Sequence, residues 1–186
     1  MSPAGSDRSR LARRPFTALT AIGTAGHHAF EVSAGVGLVF EPFLGRLGSR
    51  AFWAATLPAW IAGACFGRGD RVEKWLALNN GMGLSGGLVH FVEWPWELRH
   101  GIPHLTEAEG MTEERVPAYN SVLHLWIAAG TLALALETPQ HARKWALAGL
   151  LMGEPLRRSA RHHFRWAREQ ARRHPDRWSA ALREQL

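Results

Sequence analysis

The apolar stretch 18-ALTAIGTAGHHAFEVSAGVGLVFE-41 is interrupted near its centre by His27, His28 and Glu31. Two later apolar stretches have the same character, and the polar residues within them are His90, Glu93, Asn120 and His124. An ionisable side chain at the centre of a membrane helix costs about 2.5–3.5 kcal/mol on insertion scales, so such groups usually face a bundle interior and serve a site. These residues therefore predict one functional site shared by several helices.

The composition indicates a single domain that is rich in tryptophan. The 186 residues are 46% hydrophobic and include nine Trp and one Cys, with a formal net charge of +6. The lone Cys65 excludes an intrachain disulfide and a cysteine-based metal site. The mean hydropathy of −0.17 would suit a soluble protein. A membrane interpretation therefore depends on how the charges are distributed.

Four apolar segments predict an all-α, integral membrane bundle of four transmembrane helices: residues 18–41, 51–66, 75–96 and 118–136. Their lengths are near the ~20 residues that cross ~30 Å of hydrocarbon. A soluble bundle should carry a charged stripe on every helix, and residues 51–66 carry no charge. We expect residues 1–17 to form a basic arm, residues 18–138 the transmembrane domain and residues 139–186 a basic helical tail.

The positive charges predict an orientation in the membrane. Eighteen of the 22 Lys and Arg residues lie before the first segment, between the second and third, or after the fourth. The positive-inside rule then places both termini in the cytoplasm of an inner-membrane protein.

The tail is predicted to be a basic amphipathic helix. From Glu154 onward a thin apolar stripe runs through Leu156, Ala160, Phe164, Ala167 and Ala171. Clustered arginines beside the cytoplasmic leaflet attract anionic lipid. Nucleic acid is the less favoured partner for this tail, because no recognisable nucleic-acid-binding fold accompanies it.

Small residues share a helix face with polar ones in the third segment, and Gly83 and Gly87 form a G-x-x-x-G motif. That motif lets helices approach closely in lipid, either in a homodimer or within one chain. The link of residues 98–117 contains Gly101, Pro103 and Gly110 and is expected to be irregular. It would serve either as a lid over the site or as a solvated loop.

Carboxylates and imidazoles inside an apolar bundle favour proton transfer to and from a hydrophobic substrate. We expect Glu31 and Glu93 to act as proton donor and acceptor, and His28 and His90 to complete the catalytic set. Aromatic faces can stabilise a carbocation. The expected substrate-binding residues are His27, Trp94, Asn120, His124 and Trp126. No cofactor and no metal ligand is assigned.

Three short motifs resemble the EXPERA domain of the emopamil-binding-protein family. His27 to Glu31 matches the H-x-x-x-E of its first helix, GGLVHFVE with Glu93 is similar to the run in its third helix, and YNSVLHLW offers the Asn120 and Trp126 of its fourth. The resemblance implies a four-helix membrane fold. It also implies that a double bond in a sterol-like or isoprenoid lipid is shifted by protonation and deprotonation, in an isomerisation or cyclisation.

Two other classes of function remain open. The H-x-x-E spacing occurs at His28 to Glu31 and at His90 to Glu93, and such groups can bind non-haem iron, manganese or zinc. A b-type haem held by His90 and His124 belongs to the same redox class. The third class is a non-enzymatic scaffold or transporter subunit, in which the polar stripes only join helices.

Overall fold

The computed structural model describes residues 13–184, and side-chain surroundings are described as far as Leu182. Most of the predicted arm, residues 1–12, lies outside this range. The described chain is predominantly helical, which confirms the all-α prediction. Its helices are α1 (Pro15–Ala34), α2 (Glu41–Phe66), α3 (Asp70–Glu93), α4 (Val116–Leu132), α5 (Arg143–Leu151), α6 (Gly153–Arg173) and α7 (Ala181–Glu184).

Helix α1 begins and ends where the sequence places a proline and a glycine. Pro15 occupies the first turn, where its missing N–H is not needed. The carboxylate of Glu137 accepts hydrogen bonds from the backbone N–H groups of Phe16 and Thr17 at 2.8 and 2.7 Å. Gly35 ends the helix with φ 74°. The predicted segment 18–41 is therefore helical only as far as Ala34 and then turns into α2.

Helix α2 is longer than the predicted segment 51–66, because it already begins at Glu41. It is interrupted at Gly45, whose φ of 68° and ψ of 170° lie outside the helical region. The part that follows this interruption passes Pro58 and contributes Trp53 and Trp60 to the interior.

The link between α3 and α4 contains a two-stranded antiparallel hairpin that the sequence interpretation did not predict. Strand β1 (Trp96–Arg99) pairs with β2 (Ile102–Leu105), with Trp96 opposite Leu105. The two residues at the turn, His100 and Gly101, have φ of 51° and 79°, as hairpin turns of two residues require.

Helix α5 lies directly against α3. A Cβ added at Gly81 would lie 2.1 Å from the carbonyl oxygen of Ala146, and one at Gly149 would lie 2.1 Å from that of Leu78. The glycines of the predicted G-x-x-x-G motif also pack inside the chain, since Gly83 contacts Trp60 and Gly87 contacts Ile127. The motif is therefore used in packing within one chain. The homodimer stays a prediction, and the G-x-x-x-G motif no longer supports it.

The predicted apolar stripe of the tail lies on helix α6, and part of it packs on the bundle. Phe164, Ala167 and Ala171 are buried. The helix starts beside Ser85 of α3. It passes Glu93, which pairs with Arg161, and further along it Arg168 pairs with Glu109 in the link that follows the hairpin.

The two ends of the described chain lie at opposite ends of α3. Arg14 pairs with Glu73 in the first turn of α3, whereas the backbone N–H of Ser179 donates to Gly35 and its hydroxyl donates to Gly110, on the side of the hairpin. The fold therefore gives no support to the prediction that both termini lie on the same side of a membrane.

One helical stretch of the described chain, Val116–Glu137, is long and apolar enough to cross a membrane. Four crossings are not established by this finding. The last five residues of the stretch, Ala133–Glu137, form a π-helical turn, which directs Glu137 to the start of α1.

Candidate functional site

A cavity of about 410 Å³ lies between α1, α2, α3 and α6, with Trp126 of α4 in its wall. Most of the lining is apolar, and it includes Phe40, Phe52, Trp53 and Trp60. Polar lining residues come from α1 and α3, where helical spacing brings side chains three and four residues apart to one face. Helix α6 adds Arg161, His163, Arg165 and Arg168 to the lining. The cavity therefore combines an apolar chamber with a polar wall on α1 and α3 and a group of basic residues on α6.

The polar wall is built around His27 and Glu31 of α1. These residues are one helical turn apart, and Nε2 of His27 lies 3.3 Å from Oε2 of Glu31. Nδ1 of the same imidazole lies 3.0 Å from the hydroxyl of Tyr119 in α4. All three residues are buried. A carboxylate can only accept, so the arrangement suits an imidazole whose Nε2–H donates to Glu31 and a phenol that donates to Nδ1.

His28 faces the cavity without a hydrogen-bond partner in the described chain for either ring nitrogen. Its Nδ1 is 3.7 Å from Oε2 of Glu31, too far for a hydrogen bond. The ring centroid is 4.1 Å from that of Trp53. This imidazole is therefore fixed by packing, and both of its nitrogens are left for other partners.

His90 joins this group from α3. Its Nδ1 lies 2.9 Å from the carbonyl oxygen of Gly86, to which an Nδ1–H would donate. Its ring makes an edge contact with His27 at 4.8 Å between centroids. The structure thus brings His27 and His28 of the first predicted segment close to His90 of the third.

Glu93, the second predicted proton-transfer carboxylate, lies at the edge of the cavity in a network of ion pairs. Its oxygens are 3.2 Å from Nη1 of Arg157 and 2.6 Å from Nε of Arg161. Both arginines belong to α6, which the sequence interpretation kept apart from the site. The two arginines hold the carboxylate at the rim.

Asn120 and His124 lie outside the lining of this cavity and hold the hairpin instead. The amide oxygen of Asn120 accepts from the N–H of Leu105 at 2.8 Å, and its amide nitrogen donates to the carbonyl oxygen of Leu105 at 3.0 Å. Nε2 of His124 lies 2.7 Å from the carbonyl oxygen of Pro103. The structure therefore does not bring His124 into one site with His90, as the haem alternative required.

Both predicted aromatic residues line the cavity. Trp126 stacks on His27 with 4.9 Å between centroids and an interplanar angle of 29°. Trp94 makes an edge contact with His90 at 5.0 Å. A Cβ at Gly23 would lie 2.8 Å from Cβ of Trp126, so α1 and α4 approach closely at this point and fix the indole.

Two residues of the site were not predicted from the sequence. Tyr119 contacts His27 from outside the lining, and the lining residue His163 belongs to the tail helix. Burial lowers the pKa of His163, and the nearby Glu31 opposes that shift. At the rim, burial raises the pKa of Glu109, and its pairing with Arg168 opposes the change. The position of His163 beside the apolar residue Phe164 was the available signal, because it places this imidazole near the buried stripe of α6.

Three buried groups have the separation that a metal ion needs. One donor atom from each of His27, His28 and Glu31 lies within 4.8 Å of the others. Imidazole and carboxylate donors suit zinc, iron and manganese. Within the described chain, these residues are the ones that could hold such an ion.

The comparisons with known proteins give no relative. No family model, no curated protein and no solved structure matches this chain.

Proposed function

We propose that this is a membrane protein that binds an apolar molecule in the cavity and transfers a proton to or from it through Glu31, His27 and Tyr119. The observation that carries the proposal is the buried series of contacts from the Tyr119 hydroxyl to His27 and on to Glu31, at the wall of an apolar chamber. The reaction class is an isomerisation or cyclisation of a sterol-like or isoprenoid lipid. This is the activity that the resemblance to the emopamil-binding-protein family implies.

The membrane setting is supported by the residues on the outside of the helices. Exposed large apolar side chains occur on most of the helices and on the hairpin, among them Ile22, Leu47, Phe66, Val92, Leu98, Leu125, Leu136 and Leu151. Exposed apolar side chains on so many elements are compatible with contact with lipid. We propose a multi-pass location in the inner membrane, with anionic lipid beside the outward arginines of α6.

An apolar ligand fits the chemistry of the chamber. Aromatic side chains from α2, α3 and α4 line it, together with ionisable groups from α1, α3 and α6. A substrate that is apolar over most of its length would place one reacting region against Glu31. Excluding water from that region strengthens the electrostatic effect of the carboxylate.

Proton transfer requires a group that gives up a proton and a route that replaces it. Glu31 exchanges a proton with the ligand, and His27 lies between Glu31 and Tyr119. A proton that moves from Nε2 of His27 to Glu31 is replaced at Nδ1 by the phenol, and the reverse transfers restore the phenol when Glu31 takes a proton from another carbon of the ligand. Glu93 is a less suitable exchanging group, because two arginines hold its charge.

The test uses the full chain in lipid nanodiscs. Apolar molecules that co-purify with the protein would be identified by mass spectrometry, and their conversion would be followed in deuterated water. Glu31→Gln should abolish deuterium incorporation and leave ligand retention intact. Glu107→Gln, at an exposed position, is the matched control. Retention without any dependence of exchange on Glu31 would leave only a binding or scaffold protein.

A metal centre is the second candidate function, because the distances also suit it. The 3.3 Å between Nε2 of His27 and Oε2 of Glu31 equals the edge of a tetrahedron with bonds of about 2.0–2.1 Å. His28 has no other hydrogen-bond partner in the described chain. A bound zinc, iron or manganese would act there as a Lewis acid or redox centre.

Metal analysis separates the two candidates. Protein purified without chelator should contain about one equivalent of metal if the second candidate is correct, and His28→Gln should remove it. A metal-free protein that still catalyses exchange would exclude the metal centre and leave proton transfer in place.

A further inference from the structure

The entrance of the cavity is marked by the lining residues that are exposed. Most of the lining is buried or partly buried, and the exposed members are Phe52 of α2 and Arg161 and Arg165 of α6. A residue that both lines a cavity and is exposed lies where the cavity meets its surroundings. The entrance therefore lies between α2 and α6, with an apolar side and a basic side.

The arginines of the basic side lie on one face of α6. Arg161, Arg165 and Arg168 are four and three residues apart, which is the spacing of neighbours along a helix face. Two of them are located at the rim by carboxylates that also line the cavity. Nε of Arg161 lies 2.6 Å from Oε2 of Glu93, and Arg168 pairs with Glu109. Arg165 lies between these two ion pairs.

Arg165 has no carboxylate of its own. Among the residues whose side chains the structure describes, none forms an ion pair or a hydrogen bond with it, in contrast to its two neighbours. The three lining arginines stand against two rim carboxylates, and one of these, Glu93, is shared with Arg157. The rim therefore has more positive than negative charge, and the excess lies at Arg165.

The interior has the opposite preference. Glu31 is buried on α1 and repels an anion that moves inward, while the aromatic residues of the chamber cover apolar surface. A guanidinium group matches the geometry of a carboxylate or a phosphate group and binds either by paired hydrogen bonds. A neutral apolar molecule would leave Arg165 without a partner, and a small inorganic anion would leave the chamber without an occupant.

We propose that the ligand of this cavity is an amphiphile whose isoprenoid or sterol-like body fills the chamber and whose carboxylate or phosphate head group binds Arg165 and Arg161 at the entrance. This inference rests on the proposed function and names its substrate class. The head group fixes which end of the molecule points inward, so the apolar body extends from the entrance toward Glu31.

The binding test uses probes that share a body and differ in the head group. Farnesol is compared with farnesoic acid and farnesyl monophosphate, and cholesterol with cholesterol hemisuccinate. Probe retained by the full chain in phosphatidylcholine nanodiscs would be measured by mass spectrometry, with empty nanodiscs subtracted. We expect at least one anionic probe to be retained about tenfold or more above its parent alcohol, as charge-assisted hydrogen bonds imply. The two farnesyl anions distinguish a carboxylate from a phosphate head group.

A variant assigns the effect to the entrance. Arg165→Gln should weaken retention of the preferred anion about three- to tenfold, a range that allows for screening at an exposed site, and should leave the alcohol unchanged. Arg165 makes no ion pair that the substitution would break. Arg172→Gln is the matched control, because it removes the same charge from an exposed position of α6 outside the lining. Equal losses in both variants would mean that the overall charge of the helix acts, and would overturn the inference.

Salt provides a test that needs no variant. The Debye length falls from about 10 Å at 0.1 M to about 3 Å at 1 M ionic strength, so retention of the anion should fall several-fold over this range and that of the alcohol should not. Inorganic phosphate that binds as tightly as farnesyl monophosphate would indicate a simple anion site and overturn the inference. Equal retention of alcohols and anions would also overturn it and leave the apolar chamber of the proposed function intact, so the two failures are distinguishable.

Discussion

The hydroxyl oxygen of Tyr119 lies 3.0 Å from Nδ1 of His27, which connects α4 to the polar face of α1. On the other side of that imidazole, Nε2 lies 3.3 Å from Glu31. One phenol therefore sets both the orientation of the ring and the nitrogen that carries its proton. This is the same use of a positioned partner that fixes catalytic histidines in general.

Replacing Tyr119 by Phe should separate proton transfer from ligand binding. The substitution keeps the buried ring, which is fully inaccessible to solvent, and removes only the hydroxyl. We expect proton exchange with the ligand to fall about 10²-fold or more, as for the loss of a positioned acid–base partner. Ligand retention in nanodiscs should stay within about twofold. A parallel loss of retention and exchange would mean that the hydroxyl serves packing alone.

Part of this site could be predicted from the sequence because its spacing is local. His27, His28 and Glu31 lie within one helical turn, and any helix brings such residues to one face. His90 followed from the same argument in α3. The ion pairs of Glu93 with Arg157 and Arg161 span more than sixty residues, and no local pattern reveals them. An amphipathic basic helix suits a membrane surface and a bundle surface equally well, so the packing of α6 was not predictable.

The hairpin, in contrast, had a signal in the sequence that the prediction of an irregular link overlooked. Residues 96–99 are followed by the pair His100 and Gly101, and a two-residue turn with glycine favours a hairpin. The sequence does not reveal how the hairpin is attached to α4. Asn120 and His124, predicted to bind substrate, are occupied by carbonyl and N–H groups of β2.

Asn120→Ala should detach β2 from α4. The change leaves the buried N–H and carbonyl of Leu105 without the amide that pairs with both, and each unpaired group costs about 1–3 kcal/mol. We expect hydrogen exchange at Leu105 to accelerate and the free energy of unfolding to fall by about 2–4 kcal/mol. Ligand retention should be preserved. Selective loss of the ligand without faster exchange would instead support the predicted substrate-orienting role.

Gly149→Ala should disrupt the contact of α5 with α3. The new Cβ would lie 2.1 Å from the carbonyl oxygen of Leu78, and backbone atoms of two packed helices cannot yield as a flexible side chain does. Overpacking of this kind costs about 1–3 kcal/mol or more. Thermal unfolding would show a lower midpoint than Leu147→Ala, a change at an exposed position of the same helix. Equal midpoints would mean that α5 is not held against α3.

Glu137→Gln tests the cap that joins the end of the α4 segment to the start of α1. The carboxylate accepts from the N–H groups of Phe16 and Thr17 and from the Thr17 hydroxyl. A negative charge at a helix N-terminus adds a favourable interaction with the helix dipole. Loss of the charge should lower the free energy of unfolding by about 1 kcal/mol. Glu114→Gln, at an exposed position of the loop, should leave it unchanged.

His163 should make the stability of the fold depend on pH. Burial lowers its pKa below the ordinary value of 6.5 in spite of the nearby Glu31. The unfolded chain therefore binds a proton at this residue more readily than the folded chain does. The resulting contribution is fully present above about pH 6.5 and is lost as the pH falls toward the lower pKa of the folded state. Denaturant unfolding at pH 7.5, 6.5 and 5.5 should show this loss in the wild-type protein, and His163→Gln should reduce the slope. His174→Gln, at an exposed position of the same region, should retain it, and an unchanged slope in His163→Gln would show that this imidazole is not buried in its neutral form.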